Sequence, residues 1–342
     1  MSLQLLSALQ KFHKSHTKAV IFKGAGSKAF CAGGDVKTQY LIKNNLMQDP
    51  LIKVIPDYHR QKFACDYRTA QMKPLQISIW DGYVMGGGVG VSAHSDFIVV
   101  TERAVFAMPE AKIGFFTDVG GGWVLGRMRG NIGKWLGLTG ETLKGESIVK
   151  AGLAKFFVEK KDLGKLESEL QSVFESFGEG EGELGDSALK QKISGVIGKY
   201  SQSRVTGKSI PNEDLIREVF GGSTYAQINS RIFARRRTSN GPDRIFLERT
   251  LGQLSKNSPL SMTVIIEQIT RHLTVSLREA FRSDFRTAYA FTKSFDYFEG
   301  IRCALIDKGQ TPNWEFNSHT QITQTVVESF FNQTPPGGEL DI

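Results

Sequence analysis

Leu75-Gln76-Ile77-Ser78-Ile79-Trp80-Asp81-Gly82-Tyr83-Val84-Met85-Gly86-Gly87-Gly88 decides how this chain is read. Leu75 to Trp80 is an apolar run of strand length, and glycine turns follow it. A short apolar run bounded by turn residues marks a buried strand. On the N-terminal side, Ala19-Val20-Ile21-Phe22 is a second such run, closed by Gly24 and Gly26. On the C-terminal side, Phe97 to Val100 is a third. Helical patterns fill the gaps. Leu5, Leu9 and Phe12 share one helix face, Asp35 stands where a helix N-cap belongs, and Pro56 opens a helix running towards Met72.

Strand, glycine turn and helix in alternation mean an α/β domain, and the pattern holds to about Val158. Leu163 to Phe177 reads as a helix and Gly178 to Gly185 as a surface loop. From about Pro211 the signals are mostly helical, interrupted at Gly221-Gly222, Gly241-Pro242 and Pro259. From Gln333 the chain, with Pro335-Pro336-Gly337-Gly338, reads as a disordered tail. The expected organisation is a core with the active site over 1–158, a mainly helical region over 159–332 and a tail over 333–342. No stretch of sequence repeats.

The 342 residues suffice for one large or two small domains, and 40% hydrophobic with 23% charged is an ordinary globular composition. No apolar run approaches the roughly 18–20 residues of a membrane span. Cys31, Cys65 and Cys303 are scattered, which argues for a reducing compartment and against a disulfide framework or a zinc site. The formal charge of +8 suits nucleic acid, a membrane surface or a phosphorylated ligand, and equally a lysine-rich solvated surface. Arg235, Arg236 and Arg237, with Arg231 one turn earlier, form the sharpest basic cluster and read either as a phosphate or RNA contact or as an exposed basic loop.

Two glycine-rich turns follow buried strands: Phe30-Cys31-Ala32-Gly33-Gly34-Asp35, and Gly82 to Gly88. Each offers backbone N–H groups near a helix start, where donors lack intrahelical partners. Two such donors aimed at one point would hold an oxyanion; taken alone, a glycine turn after a strand is more often plain topology. Gly86 to Gly90 lacks the lysine and hydroxyl of a P-loop and the spacing of a dinucleotide fingerprint. A third segment, Phe106-Ala107-Met108-Pro109-Glu110 followed by Ile113 to Gly122, sets Glu110 and Asp118 in otherwise apolar and glycine-rich sequence. Burial there would raise a carboxyl pKa and suit it to acid–base work. The structural alternatives are a helix-start residue for Glu110 and an N-cap for Asp118.

Those three segments, in this order, resemble the crotonase, or enoyl-CoA hydratase/isomerase, superfamily. Within it the chain most resembles the 3-hydroxyisobutyryl-CoA hydrolases. The likeness runs from about Leu3 to Trp314, includes Phe298-Glu299-Gly300-Ile301-Arg302-Cys303-Ala304-Leu305-Ile306-Asp307-Lys308, and is weakest over Gly178 to Arg217. It implies a crotonase-like superhelix of ββα units with a helical C-terminal region. It implies Gly34 and Gly87 as oxyanion-hole amides and Glu110 and Asp118 as the catalytic carboxylates, with Gly87, Glu110 and Asp118 binding substrate. Hydratases of this superfamily carry a glutamate shortly after the glycine run, and Gly90 stands in that place here, which points to thioester hydrolysis. The implied partner is an acyl-CoA substrate. No cofactor, metal, membrane or nucleic acid is expected, and an oligomer is compatible with the sequence.

Two departures accompany the resemblance. Relatives carry an acidic pair in the helix before the second core strand. The window here is Arg60-Gln61-Lys62, so Gln61 stands as a substrate contact in place of a glutamate. Relatives also begin with a β-hairpin, and this chain is expected to lack it. Met1 to His16 is therefore read as the first helix, not as a presequence, and a mitochondrial matrix location follows only from the resemblance. The rival reading is a non-catalytic relative serving as a structural component, for example of a mitochondrial ribosome.

Overall fold

The computed structural model describes residues 2–14, 17–47, 55–176, 183–202, 205 and 209–342. Its contacts divide the chain into two compact units, each drawn from several separate stretches. The first comprises Met1–Ala32, Cys65–Phe106 and Leu143–Ile210; the second comprises Gly33–Ala64, Ala107–Thr142 and Pro211–Ile342.

The first unit opens with α1 (Ser2–Lys14) and, except for Ala107 at the end of the sixth, holds the strands of the described residues. These are β1 (Ala19–Lys23), β2 (Ala29–Cys31), β3 (Leu75–Trp80), β4 (Tyr83–Met85), β5 (Phe97–Val100), β6 (Val105–Ala107), β7 (Leu143–Lys144) and β8 (Phe156–Phe157). The three sequence-predicted strands fall within β1, β3 and β5. From β1 to β6 the strands alternate between two four-stranded sheets, ordered β1-β3-β5-β8 and β2-β4-β6-β7, and β7 pairs antiparallel with β6. The first sheet is parallel, with Ile21 opposite Ile77 and Ile77 opposite Phe97. Ile77, Ile79, Phe97 and Val99 point to one face by the two-residue strand period. They pack on Leu163, Leu166 and Leu170 of α8 (Leu163–Ser176) and on Leu189, Ile193 and Ile197 of α9 (Glu183–Tyr200).

A repeat invisible in the sequence is plain in the backbone. Gly86 (φ 45°, ψ −114°) joins β4 to α4 (Gly87–Gly90), and Gly145 (φ 48°, ψ −121°) joins β7 to α7 (Glu146–Lys150). The same conformation, closed to residues with a Cβ, turns each strand into a helix. The fold is the α/β, repeated-ββα architecture that the resemblance implies.

The second unit is mostly helical. It contains α2 (Val36–Lys43), the Ile55 to Ala64 part of α3 (Ile55–Ala70), a 3-10 turn (Glu110–Ile113), α5 (Gly121–Gly126) and α6 (Ile132–Thr139). Beyond Pro211 come α10 (Glu213–Val219), α11 (Tyr225–Thr238), α12 (Gly241–Leu254), α13 (Pro259–His272), α14 (Leu277–Phe291), α15 (Phe295–Ile301) and α16 (Gln324–Phe331). Asp35 caps α2, its side chain accepting the Thr38 N–H at 3.1 Å. Pro242 and Pro259 stand in the first turns of α12 and α13, so these prolines start helices instead of breaking them.

Two sequence readings are corrected. The loop proposed for Gly178 to Gly185 lies outside the described residues up to 182, but α9 has begun by Glu183. The tail read as disordered is held. The Arg60 guanidinium donates to the carbonyls of Pro336 (2.6 Å), Gly338 (2.9 Å) and Glu339 (2.8 Å), and Leu340 is buried.

Candidate active site

Glu110 opens the 3-10 turn directly after Pro109, so its helix-start role is real, yet its side chain is only 6% exposed. Burial pushes its carboxyl pKa well above the usual glutamate range, and the charge of Asp118 pushes it further. The two carboxylates therefore sense each other directly. Oε2 of Glu110 is buried without a hydrogen-bond partner among the described residues.

Asp118 is 9% exposed and is not the N-cap proposed for it; Gly120 caps α5. Asp118 sits instead in a tight turn, its N–H on Phe116 O (2.8 Å) and its carbonyl accepting Gly121 N–H (2.7 Å). The next residue, Val119, is left-handed at φ 57°, followed by Gly120 at φ 76°. A β-branched residue there is a true outlier, at a cost of about 1–3 kcal/mol, and such strain persists only where neighbours enforce it. The neighbours are on α13 and α14. Gln268 donates to Thr117 O (2.8 Å) and accepts the Thr117 hydroxyl (2.7 Å), while Asp284 Oδ2 accepts Gly120 N–H (2.7 Å).

A wall of aromatic rings borders the turn. Phe115 stacks on Tyr297 (centroids 4.5 Å apart), and Phe116 stacks on Phe291 (5.4 Å). Tyr297 is buried and donates to Gln39 Oε1 at 2.9 Å. Burial pushes its phenol pKa up, and the Tyr58 and Asp118 charges add to the push. Tyr58 in turn reaches Gly34: a Cβ on Gly34 would lie 1.9 Å from the Tyr58 hydroxyl. Gly34, Tyr58, Tyr297, Asp118 and Glu110 thus form one continuous neighbourhood within the second unit.

Gly87 belongs to the first unit, as the first residue of α4. An amide there precedes any intrahelical acceptor. Below it, the Trp80 indole donates to Ser92 Oγ (3.0 Å), and Ser92 donates to the Gly88 carbonyl (2.6 Å), fixing α4 against β3. Gln61 is half-buried on α3. Lys37 is exposed. In the basic cluster, Arg235 pairs with Glu218 and Asp243, and Arg236 pairs with Glu248. No group of three or more metal-binding side chains occurs among the described residues, and none of their helices is long and apolar enough to cross a membrane.

The enoyl-CoA hydratase/isomerase family profile matches residues 1–331. The chain belongs to this family. Relatives in the enoyl-CoA hydratase/isomerase family include a mitochondrial 3-hydroxyisobutyryl-CoA hydrolase of Dictyostelium discoideum, 34% identical over 335 residues, 96% of this chain and 83% of that protein. The Homo sapiens protein of the same name is 32% identical over 334 residues, 96% of this chain and 80% of that one. Among solved structures, a carnitinyl-CoA dehydratase from Mycobacterium thermoresistibile superposes with a TM-score of 0.81 at 26% identity, covering 99% of this chain and 90% of that one. An enoyl-CoA hydratase from Rhodobacter sphaeroides 2.4.1 does so with 0.80 at 28% identity, covering 100% and 92%.

Sequence reasoning missed Tyr58, Gln268, Asp284 and Tyr297. Each is polar within a helix, where position alone does not separate a buried polar group from a solvated one.

Proposed function

We propose that this protein hydrolyses a short β-hydroxyacyl-CoA thioester, 3-hydroxyisobutyryl-CoA to 3-hydroxyisobutyrate and CoA, a step of valine breakdown. The observation that carries the reading is the buried carboxyl pair: Glu110 opens the 3-10 turn, Asp118 sits in the strained turn that follows, and the Asp118 charge adds to the raised Glu110 pKa. The names of the relatives support the substrate, and their mitochondrial label supports a mitochondrial site of action. The structural neighbours, a carnitinyl-CoA dehydratase and an enoyl-CoA hydratase, raise hydration as a second reading. Against it, α4 ends at Gly90 and offers no carboxylate of its own.

In the proposed mechanism, the Gly34 and Gly87 N–H groups donate to the thioester carbonyl oxygen as negative charge develops on it. Glu110 supplies one of two routes. It adds to the carbonyl carbon itself, giving an anhydride that water then opens, or it takes a proton from water as the water oxygen adds. In either route the C–S bond breaks; in the general-base route the sulfur takes the proton that Glu110 drew from water, and in the anhydride route it leaves as thiolate and is protonated from solvent, giving the CoA thiol. Asp118 binds the substrate hydroxyl and keeps Glu110 basic through its charge. Gln61 is a candidate for a further substrate contact.

The test is thiol release from a panel of short acyl-CoAs, with Glu110→Gln, Asp118→Asn and Gly87→Pro beside the wild type. Each carboxylate variant should lose at least about 10²-fold. Gly87→Pro should lose about 10²–10³-fold, because proline is tolerated at a helix's first position while the N–H donor vanishes. A single turnover in ¹⁸O-water that leaves label in Glu110 establishes the anhydride route, with water adding at the glutamyl carbonyl. Water addition to an enoyl-CoA without thiol release would replace this reading by the hydratase one.

A further inference from the structure

We propose that Asp284 is a positioning residue that holds the Thr117-to-Gly120 turn, and with it Asp118, in its working geometry; the proposal rests on the hydrolase reading above. Asp284 lies on α14, fully buried, and is remote in sequence from the turn it serves. Both of its oxygens are committed. Oδ2 accepts the Gly120 N–H at 2.7 Å, and Oδ1 accepts the Gln268 amide at 2.7 Å. Gln268 Nε2 also donates to Thr117 O at 2.8 Å, and Gln268 Oε1 accepts the Thr117 hydroxyl at 2.7 Å. The turn is therefore gripped on both sides of Asp118, at Thr117 by α13 and at Gly120 by α13 and α14 acting together.

A buried carboxyl is an expensive way to satisfy one amide, since burial disfavours its charged form. Burial does push Asp284 well above the usual aspartate range, and the Asp118 charge adds to this. The nearest ring, His272, 3.8 Å from Oδ1, does not neutralise it: its pKa is lowered to about 3 by burial and by the Arg127 and Arg271 charges. What the arrangement obtains is a fixed Val119 at φ 57°, a conformation its own sequence does not favour. If the grip is lost, Val119 is free to relax and Asp118 moves with it.

The experiment pairs Asp284→Asn with Gln268→Met, so that one variant suffices if the other does not fold. Two readouts are taken: steady-state hydrolysis, and amide exchange by mass spectrometry over a peptide covering 115–125. In each folded variant kcat should fall at least 10-fold, with KM within threefold. Exchange at 117–121 should rise at least 10-fold, while that of β3 and β5 stays unchanged. In the wild type, the Gly120 amide should be among the slowest of the segment. Unchanged kcat in a folded variant, unchanged exchange at the turn, or a fast Gly120 amide in the wild type would each overturn the proposal. A wild type that releases no thiol from any acyl-CoA would instead fail the hydrolase reading, and the exchange comparison would still decide whether Asp284 holds the turn.

Discussion

Gly300 of α15 lies so close to Ile113 that a Cβ on it would stand 2.3 Å from the Ile113 carbonyl carbon and 2.4 Å from its oxygen. Ile113 ends the 3-10 turn that Glu110 begins, so α15 meets that turn backbone to backbone. The Glu299–Arg302 pair (Nε–Oε2 2.8 Å) and the Asn313 N–H on Glu299 (2.9 Å) brace the C-terminal end of α15 and the chain that follows it. Arg302 pulls the Glu299 pKa down to about 2. The C-terminal run that resembles the family therefore serves the placement of Glu110.

Gly300→Ala should destabilise the protein by about 1–3 kcal/mol, because the atoms it meets are backbone and cannot swing aside. Gly252, inside α12, has nothing within 4 Å of a Cβ, and Gly252→Ala should stabilise by up to about 1 kcal/mol. Chemical denaturation of the two variants checks the contrast. Equal stabilities would mean that α15 has room to move away from the turn.

The Glu110–Asp118 coupling makes a prediction about pH. A carboxyl whose folded pKa is raised contributes stability fully below the ordinary glutamate range, and that contribution is lost as pH rises through the raised value. Glu110→Gln removes the proton-dependent group, so the variant should gain on the wild type as pH climbs out of that range. Asp118→Asn removes the charge that adds to the shift, so any residual activity should start at lower pH than in the wild type. Urea midpoints and pH–rate profiles measure both. A stability difference independent of pH would mean that Glu110 is not shifted.

How much of this was legible in the sequence depends on the range of the signal. Leu75 to Trp80 and Phe97 to Val100 announce themselves as strands because their apolar runs are local. Glu110 and Asp118 stand out because charge interrupts apolar and glycine-rich sequence. Gln268 and Asp284 do not, since their partners at Thr117 and Gly120 lie 151 and 164 residues away. In α9 the signal was present but masked. Leu189, Ile193, Val196 and Ile197 follow helical spacing, yet the Gly- and Glu-rich run before them reads as a break. Val119 carries no trace of its strain, because a left-handed valine is imposed by what grips its neighbours.

Gly34 and Tyr58 offer a test by double substitution. A methyl group at Gly34 would stand 1.9 Å from the Tyr58 hydroxyl and 3.2 Å from the ring carbon that bears it. Gly34→Ala should therefore cost about 1–3 kcal/mol and displace a ring that also meets His59 edge-on at 5.3 Å. Tyr58→Phe removes the clashing atom, so adding it to Gly34→Ala should restore at least half the lost stability. The coupling energy from the four proteins reads this directly. Additive effects would show that the hydroxyl does not confine Gly34.

Arg60 decides whether residues 335–342 stay in place. One guanidinium reaches three carbonyls there while lying over the Phe285 ring at 4.6 Å, and the Arg286–Glu339 pair (3.2 Å) adds a second tether. The planar fork of arginine can serve several acceptors in one plane, whereas a lysine ammonium is a single point of charge. Arg60→Lys should keep part of the attachment and Arg60→Ala almost none. Loss of these charged hydrogen bonds is expected to cost about 1–3 kcal/mol, together with the burial of Leu340. Amide exchange over 335–342 should accelerate at least 10-fold in Arg60→Ala and less in Arg60→Lys, with exchange in β3 and β5 unchanged. Protection of 335–342 that survives Arg60→Ala would mean that Arg286 and Leu340 hold the segment without it.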